Sequence, residues 1–330
     1  MDAQTMRVRA ALMRELRAFF DERGYLEVDT PTLTPALIPE PAIASFRTVF
    51  ESPFHPSHSL YLVPSPEVYM KRLLAAGSGD IFQLCRCFRN AEQIGRQHNP
   101  EFTMLEWYSI GRDYLQSAAL TGELLRAIAE RVGPALRSEE AQTAVKLLRT
   151  PVRKMRMQEA VQQFAGVDLE RLQETQALRE AALEAGVPVS AEASWEECFN
   201  ALFLQLVEPQ LPMDAPLILY EYPKAVPTLA RSVAGTPWSE RWELYIRGVE
   251  IANCYTEESS PEVVRAYYRR ESLRVPPGSW DPSYPDLFAN GFPDCSGVAL
   301  GVDRLLMVLL GARELGGVIF FPFIDILESH

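Results

Sequence analysis

The sequence predicts an α+β protein: a mixed, mainly antiparallel sheet flanked by helices. Three stretches carry that expectation. Residues 80–108 read as strand, long polar loop, strand; residues 242–257 read as a hairpin; residues 295–311 read as a strand that runs straight into an apolar helix.

In chain order, residues 6–23 predict an amphipathic helix, with Val8, Leu12, Leu16, Phe19 and Phe20 at helical spacing and Gly24 as its stop. An extended piece, 25–30, follows and is cut by Pro31, an arrangement that core packing alone explains. Residues 32–58 are rich in Pro and Thr and read as an irregular loop covering a site. Ser65-Pro66-Glu67 opens the next helix: Ser caps, Pro takes the first turn, and Glu lies in the field of the helix N-terminus. Capping accounts for Glu67, and binding a substrate amine would be a second role.

In 81–89, Phe82, Leu84 and Phe88 share one face while Gln83, Cys85, Cys87 and Arg89 share the other. In 102–108, Phe102, Met104, Glu106 and Tyr108 align against Thr103, Leu105 and Trp107. The loop between carries Arg89, Asn90, Glu92, Arg96, His98, Asn99 and Glu101, too many functional groups for a bare hairpin connection. A guanidinium suits a phosphate oxygen, Phe102 offers a stacking plane for a base, and Glu106 with Tyr108 offers a carboxylate beside a phenol. The set implies a sheet surface that holds a nucleotide beside a cationic small molecule.

Residues 115–132 and 169–207 read as helical, without repeats or a chemical cluster, and 217–222 as a short strand. In 242–257, Arg247-Gly248 suits a two-residue turn that sets Tyr245 opposite Glu250 and brings Glu243 and Glu250 diagonally together. Two close carboxylates repel unless a cation lies between them, so Mg²⁺ on Glu243 and Glu250 is the economical reading. Asn253 and Glu257 join that face only if a bulge lies near Asn253. In 295–311 small residues alternate along the strand, the helix stops at Gly311, and Arg304 falls in the first helical turn. The macrodipole disfavours a cation there, so either a neighbouring acid or a bound phosphate offsets it.

The 330 residues are 47% hydrophobic, enough for a large core, and carry a net charge of −12, which argues against a dedicated nucleic-acid module. Five cysteines without metal spacing and four histidines argue against disulfide and zinc scaffolds. With no apolar run of membrane length and a charged N-terminus, the expectation is a soluble, cytoplasmic protein without a membrane partner.

Taken in order, the pieces resemble the three motifs of class II aminoacyl-tRNA synthetases. Helix-Gly24-strand-Pro31 is similar to motif 1, FRNAEQIGRQHNPEF to motif 2 and GVALGVDR to motif 3. HNPEFTMLEWY, ERWELYIRGVEIAN and PDCSGVALGVDR resemble the lysyl enzymes, and among them the short paralogous elongation factor P–lysine ligases. That resemblance implies one catalytic domain over 1–330, with 115–215 a mostly helical insertion. Motif 1 at the start of the chain implies no anticodon-binding domain.

By resemblance, the dimer interface of motif 1 implies a homodimer, and the cofactors are ATP and Mg²⁺. The substrates are lysine or (R)-β-lysine and elongation factor P, with no tRNA. Residue by residue, Ser65, Pro66 and Glu67 would hold the substrate amino end. Arg89, Asn90, Ala91 and Glu92 would serve the ATP phosphates, with Asn99 and Phe102 at the adenine. Glu106, Tyr108, Asn253 and Glu257 would surround the substrate ammonium. Glu243, Leu244 and Glu250 would serve ATP, metal and substrate, Gly301 the nucleotide, and Arg304 the γ-phosphate. Ala299 stands where tRNA-charging enzymes have glycine, which implies a pocket shaped for a β-amino acid. The motif 2 loop is one residue longer than the family's, with Ala91 in place of Glu and Glu92 next to it; Cys254 and Tyr255 replace Gly and Phe.

The expected reaction is attack of a lysine carboxylate on the ATP α-phosphorus, followed by transfer to a protein amine, with Arg89, Arg304, Glu243 and Glu250 as the catalytic set. Two rivals remain open at this point: an enzyme charging tRNA with lysine, and a catalytically silent regulatory paralogue. Pyrophosphate exchange separates active from silent, and the identity of the modified acceptor separates the two enzymes.

Overall fold

The protein is described by a computed structural model covering residues 2–91 and 95–328. Helix α1 (Ala3–Asp21) starts where the Asp2 carboxylate accepts the Thr5 N–H at 2.7 Å, and its apolar stripe from Val8 to Phe20 is buried. In the extended stretch that follows, β1 (Leu26–Glu27) pairs with residues 81–82, and the Val28 N–H donates to Phe82 O at 2.9 Å. The segment expected to be irregular, 32–58, instead holds β2 (Leu33–Thr34) and β3 (Arg47–Phe50), which join β4 (His58–Leu62) in a small sheet in the order β2-β4-β3. All four β3 side chains are exposed, so there was no inside-outside alternation to read.

Helix α2 (Glu67–Ala75) precedes β5 (Ile81–Phe88) and β6 (Glu101–Ile110). Pro66, not Ser65, is the residue that enters α2, although the Ser65 hydroxyl still accepts the Glu67 N–H at 3.1 Å. The middle of the chain contributes α3 (Tyr114–Arg131), α4 (Glu139–Arg149), β7 (Arg153–Arg156), α5 (Met157–Ala165), α6 (Thr175–Glu184), α7 (Trp195–Leu202) and β8 (Leu217–Pro223). Then come β9 (Trp238–Ile246), β10 (Val249–Thr256), α8 (Pro261–Glu271), β11 (Cys295–Gly301), α9 (Val302–Leu310) and α10 (Phe323–Glu328).

The main sheet has eight strands in the order β1-β5-β6-β11-β10-β9-β8-β7. Its two end pairings, β1 with β5 and β7 with β8, are parallel, and every pairing between them is antiparallel. One face packs against α1, α3, α4 and α9, where Leu105, Trp107, Leu244, Val298 and Leu300 join Phe19, Phe20 and the α9 leucines. The alternation read in 102–108 is therefore the alternation between this core and the opposite face. A second core joins α5, α6 and α7 to Leu217, Leu219 and Tyr245. Among the described residues, no helix is long and apolar enough to cross a membrane.

The β9–β10 turn is the two-residue one expected, with Arg247 and Gly248 both at positive φ, 55° and 73°. Tyr245 pairs with Glu250 as anticipated. The bulge lies between Glu250 and Ala252, earlier than Asn253, so Asn253 pairs with Glu243 and shares its face.

Candidate active site

The face of the sheet opposite the α1–α9 core floors a cavity of about 550 Å³. Phe102, Met104, Glu106 and Tyr108 line it from β6, Gly297, Ala299 and Gly301 from β11, and Asn253 with Tyr255 from β10. Its size and its mixed polar and apolar lining are those of a small-molecule site.

One end is built from carboxylates. Glu106 accepts hydrogen bonds from the Ser65 hydroxyl at 2.6 Å and the Tyr108 hydroxyl at 2.7 Å. Ala299 lies opposite Glu106 across the strand pair, so its methyl group is carried beside that carboxylate. Beneath, the buried Lys71 ammonium joins Glu67 at 2.5 Å and Glu257 at 2.6 Å. A Cβ on Gly297 would run into Glu257 Oε1 and the Tyr108 ring, which is why this position needs glycine. Gly301 differs: a Cβ there would meet nothing closer than 3.8 Å. Packing does not demand that glycine, and it leaves the floor of the cavity open.

Burial, then the nearby Glu67, pushes the Glu106 carboxyl up to about 8, and burial likewise raises Glu257 to about 7. The native state thus keeps a proton on Glu106 that the unfolded chain has released. That contribution lowers stability as pH rises from the ordinary carboxylate range to about 8. Glu106→Gln can keep both hydrogen bonds and removes the titration. Urea melts at pH 5 and pH 8 should show a smaller loss of stability in the variant, by an amount on the order of a few kcal/mol. Equal losses in both proteins would count against a proton held on Glu106.

The other end is cationic. Arg89 follows β5, its guanidinium 5.3 Å from the centre of the Phe102 ring, and its buried Nε has no hydrogen-bond partner among the described residues. Arg304 reaches the same cavity from the first turn of α9. It donates to Gln97 O at 3.1 Å, to Glu250 O at 3.0 Å and to Glu250 Oε2 at 3.3 Å, and lies 3.0 Å from His98 Nε2. Of the two anions the sequence left open beside Arg304, the neighbouring acid is present, and it is Glu250.

Asp303, buried one residue earlier, fixes this turn. Its carboxylate accepts the Thr103 N–H at 2.6 Å and Arg9 Nη1 at 2.6 Å, and Arg9 Nη2 reaches Thr103 Oγ1 at 2.7 Å. Helix α1, β6 and α9 are thereby tied together directly behind the arginine.

The two carboxylates expected to share a metal are not alike. Glu243 accepts hydrogen bonds from Tyr222 at 2.6 Å and Tyr245 at 2.8 Å and pairs with Arg241 at 2.6 Å, so protein donors already relieve its charge. The premise that Glu243 and Glu250 need a cation between them, on which the Mg²⁺ reading rests, therefore fails at Glu243, whose charge Arg241 and two phenols already offset. Glu250 lines the cavity, its side chain 39% exposed, and burial and Glu243 both raise its pKa. Glu243 does not line the cavity, and among the described residues no three His, Cys, Asp or Glu side chains group to hold a metal by themselves. A single carboxylate such as Glu250 suits a magnesium ion that takes its other ligands from phosphates and water.

Most of the expected residues converge: Ser65, Glu67, Arg89, Asn99, Phe102, Glu106, Tyr108, Glu250, Asn253, Glu257, Ala299, Gly301 and Arg304 all line the cavity. Leu244 does not; strand alternation buries its side chain in the core behind the sheet. Pro66 is buried at the start of α2, outside the cavity lining, and its carbonyl accepts the Tyr69 and Met70 N–H groups. Asn90 and Ala91 are exposed beyond the cavity wall, the Asn90 N–H donating to Ala44 O at 2.8 Å and Ala91 at a φ of 56°. Glu92 lies outside the described residues. Asn99 has its amide engaged, donating to Glu101 O at 2.5 Å and accepting the Phe323 N–H at 3.0 Å.

Sequence reasoning missed Lys71, although its position four residues after Glu67 on a helix was a signal. It also missed Arg9, Asp303, Tyr222 and Glu40. The last of these lines the cavity from the stretch between β2 and β3.

The class II tRNA synthetase family (D, K and N) matches residues 2–325, and the chain belongs to that family, an ATP-using one. The chain is an enzyme of the ligase type. It is 38% identical over 322 residues to proteins named elongation factor P–(R)-β-lysine ligase from Salmonella paratyphi B and Salmonella heidelberg. The alignments cover 95% of this chain and 93% of each relative.

Proposed function

We propose that this protein activates lysine or (R)-β-lysine with ATP and transfers it to a lysine side chain of elongation factor P. The observation that carries the reading is the polarity of one cavity, with Arg89 and Arg304 at one end and the Ser65–Glu106–Tyr108 cluster at the other. Phosphates belong at the first end and a substrate ammonium at the second. The names of the 38% identical relatives support the acceptor.

In the first step the substrate carboxylate attacks the α-phosphorus in line with the departing pyrophosphate, and the two guanidinium groups offset the charge that develops. A bound magnesium supplies charge neutralisation on the phosphates, and Glu250 would hold it. In the second step the acceptor amine, as the free base, attacks the acyl carbon and AMP leaves. Among the described residues no cavity side chain is an evident base for that amine, and positioning carries much of the second step. The Ala299 methyl group narrows the space beside Glu106, in keeping with a substrate whose amine is set one carbon further from its carboxyl. Motif 1 supports a homodimer, and the acidic balance supports a protein rather than a tRNA acceptor.

ATP–pyrophosphate exchange with α-lysine and (R)-β-lysine tests the first step, and a mass increase on elongation factor P tests the second. Exchange with at least one isomer and a modified factor are expected. Silence with both isomers, or charging of tRNA with no change in the factor, would overturn the proposal.

A further inference from the structure

Two of the five cysteines belong to a cluster that the proposed reaction does not use. Cys85 and Cys87 stand two residues apart on β5, so strand alternation sends both side chains to one face, where their sulfurs lie 3.7 Å apart. That face is the one opposite the α1–α9 core. Cys85 pairs across the strands with Met104 and Cys87 with Phe102, and both of those partners line the cavity. The Cys87 sulfur is also 4.0 Å from the Met104 thioether. Three sulfurs from two strands are thus gathered around Cys87 at the cavity floor. Cys87 and Met104 are buried and Cys85 is half-buried, so the cluster meets solvent at Cys85.

These separations are those of neighbouring ligands on one metal. Metal–sulfur bonds of about 2.3 Å set ligands about 3.8 Å apart in a tetrahedral shell and about 4.0 Å apart in a trigonal one. A metal can therefore be bound with little movement of either strand. The donor types decide which metal. Thiols and a thioether are soft ligands and suit Cu(I), whereas magnesium and calcium take oxygen. Structural zinc takes four ligands, and among the described residues only three sulfurs gather here. The hydrogen bond with Cys85, and then burial, push the Cys87 thiol well up from its ordinary value, so Cys87 is protonated at neutral pH. A cation must bind sulfur strongly to displace that proton, which sharpens the preference for a soft ion.

We propose that Cys85, Cys87 and Met104 form a binding site for a soft monovalent cation, Cu(I), at the floor of the active-site cavity. On binding, the two thiols release their protons to solvent, and the three sulfurs donate electron pairs to the metal; nothing is oxidised or reduced. The site does not depend on which amino acid the cavity activates, because none of its three ligands is assigned to substrate or nucleotide. It can nevertheless act on the cavity. Met104 is both a ligand and part of the lining, so capture of its sulfur holds that side chain against β5.

Anaerobic titration of the whole protein with Cu(I), presented as its bicinchoninate complex, tests the site. Wild type should withdraw one equivalent per chain from the chelator, and X-ray absorption of the loaded protein, freed of chelator, should show sulfur neighbours. Cys87→Ser and Cys85→Ser should each lower the affinity by at least the roughly 10–100-fold that loss of an outer-shell partner costs a metal site, and Met104→Leu by roughly 10-fold. Cys198→Ser, which removes a thiol from the α5–α7 core, should bind copper as wild type does. Cys85→Ser changes the half-buried member and gives the answer even where Cys87→Ser fails to fold. Failure of wild type to take copper from the chelator overturns the proposal. So does wild-type affinity in either cysteine variant of the pair or in Met104→Leu, an equal loss in Cys198→Ser, or nitrogen neighbours in place of sulfur.

Discussion

Arg304→Ala should lower the rate of ATP–pyrophosphate exchange roughly 10³-fold while leaving the fold intact, a magnitude typical of arginines that stabilise a phosphoryl-transfer transition state. Arg304 is pre-set for that work. It is held through Gln97 and Glu250 carbonyls, and Asp303 behind it locks the helical turn to β6. Its side chain is 22% exposed and its neighbours can be reached by water, so truncation leaves no sealed, unpaired charge. The melting temperature should therefore change little. Arg304→Lys keeps the charge but loses the planar fork, and should recover only part of the rate. An alanine variant within tenfold of wild type would remove Arg304 from the catalytic set.

Lys71→Met should cost about 3–5 kcal/mol of stability at neutral pH, the range expected when one member of a buried ionic cluster is removed. Lys71 is only 1% exposed and the carboxylates of Glu67 and Glu257 converge on it. Burial alone would lower its pKa, but Glu257 and then Glu67 hold it well above the ordinary lysine value. The sign follows: its contribution is full below the unfolded lysine pKa and is lost only as pH rises through the higher folded one. At pH 8 the methionine variant leaves Glu257, which burial raises to about 7 even with Lys71 beside it, facing Glu67 without a cation, and acid that protonates Glu257 relieves the repulsion. Urea unfolding should accordingly show a smaller deficit at pH 5 than at pH 8. Adding Glu257→Gln should restore part of the loss, because the second uncompensated charge goes as well. A single variant as stable as wild type at pH 8 would mean that Lys71 does not hold the cluster together.

Both results depend on residues of unequal legibility. Arg304 could be read because a cation in the first turn of an apolar helix is out of place. Glu106 and Tyr108 could be read because β6 alternates between a core and a cavity. The β9–β10 turn was legible in Arg247-Gly248, and the need for a bulge followed from the carboxylates, although its position at Ile251 did not. Lys71 was hidden because lysine on a helix is ordinarily solvated and nothing local distinguishes a buried one. Glu40 lies in a proline-rich stretch without periodicity, and only the folded chain shows that it overhangs the pocket. β3 and β7 escaped for a related reason: short edge strands with exposed side chains carry no inside-outside signal.

One connection far along the chain has a mechanical consequence. The Leu315 N–H donates to Arg96 O at 2.8 Å, and the Phe323 N–H is held by Asn99 at 3.0 Å. The tail after α9 is thus stitched to the segment that carries His98 and leads to Phe102. Peeling that tail away would slacken the segment that leads to Phe102, so in the proposed reading the hold on an adenine ring is geared to a residue 224 positions beyond Asn99.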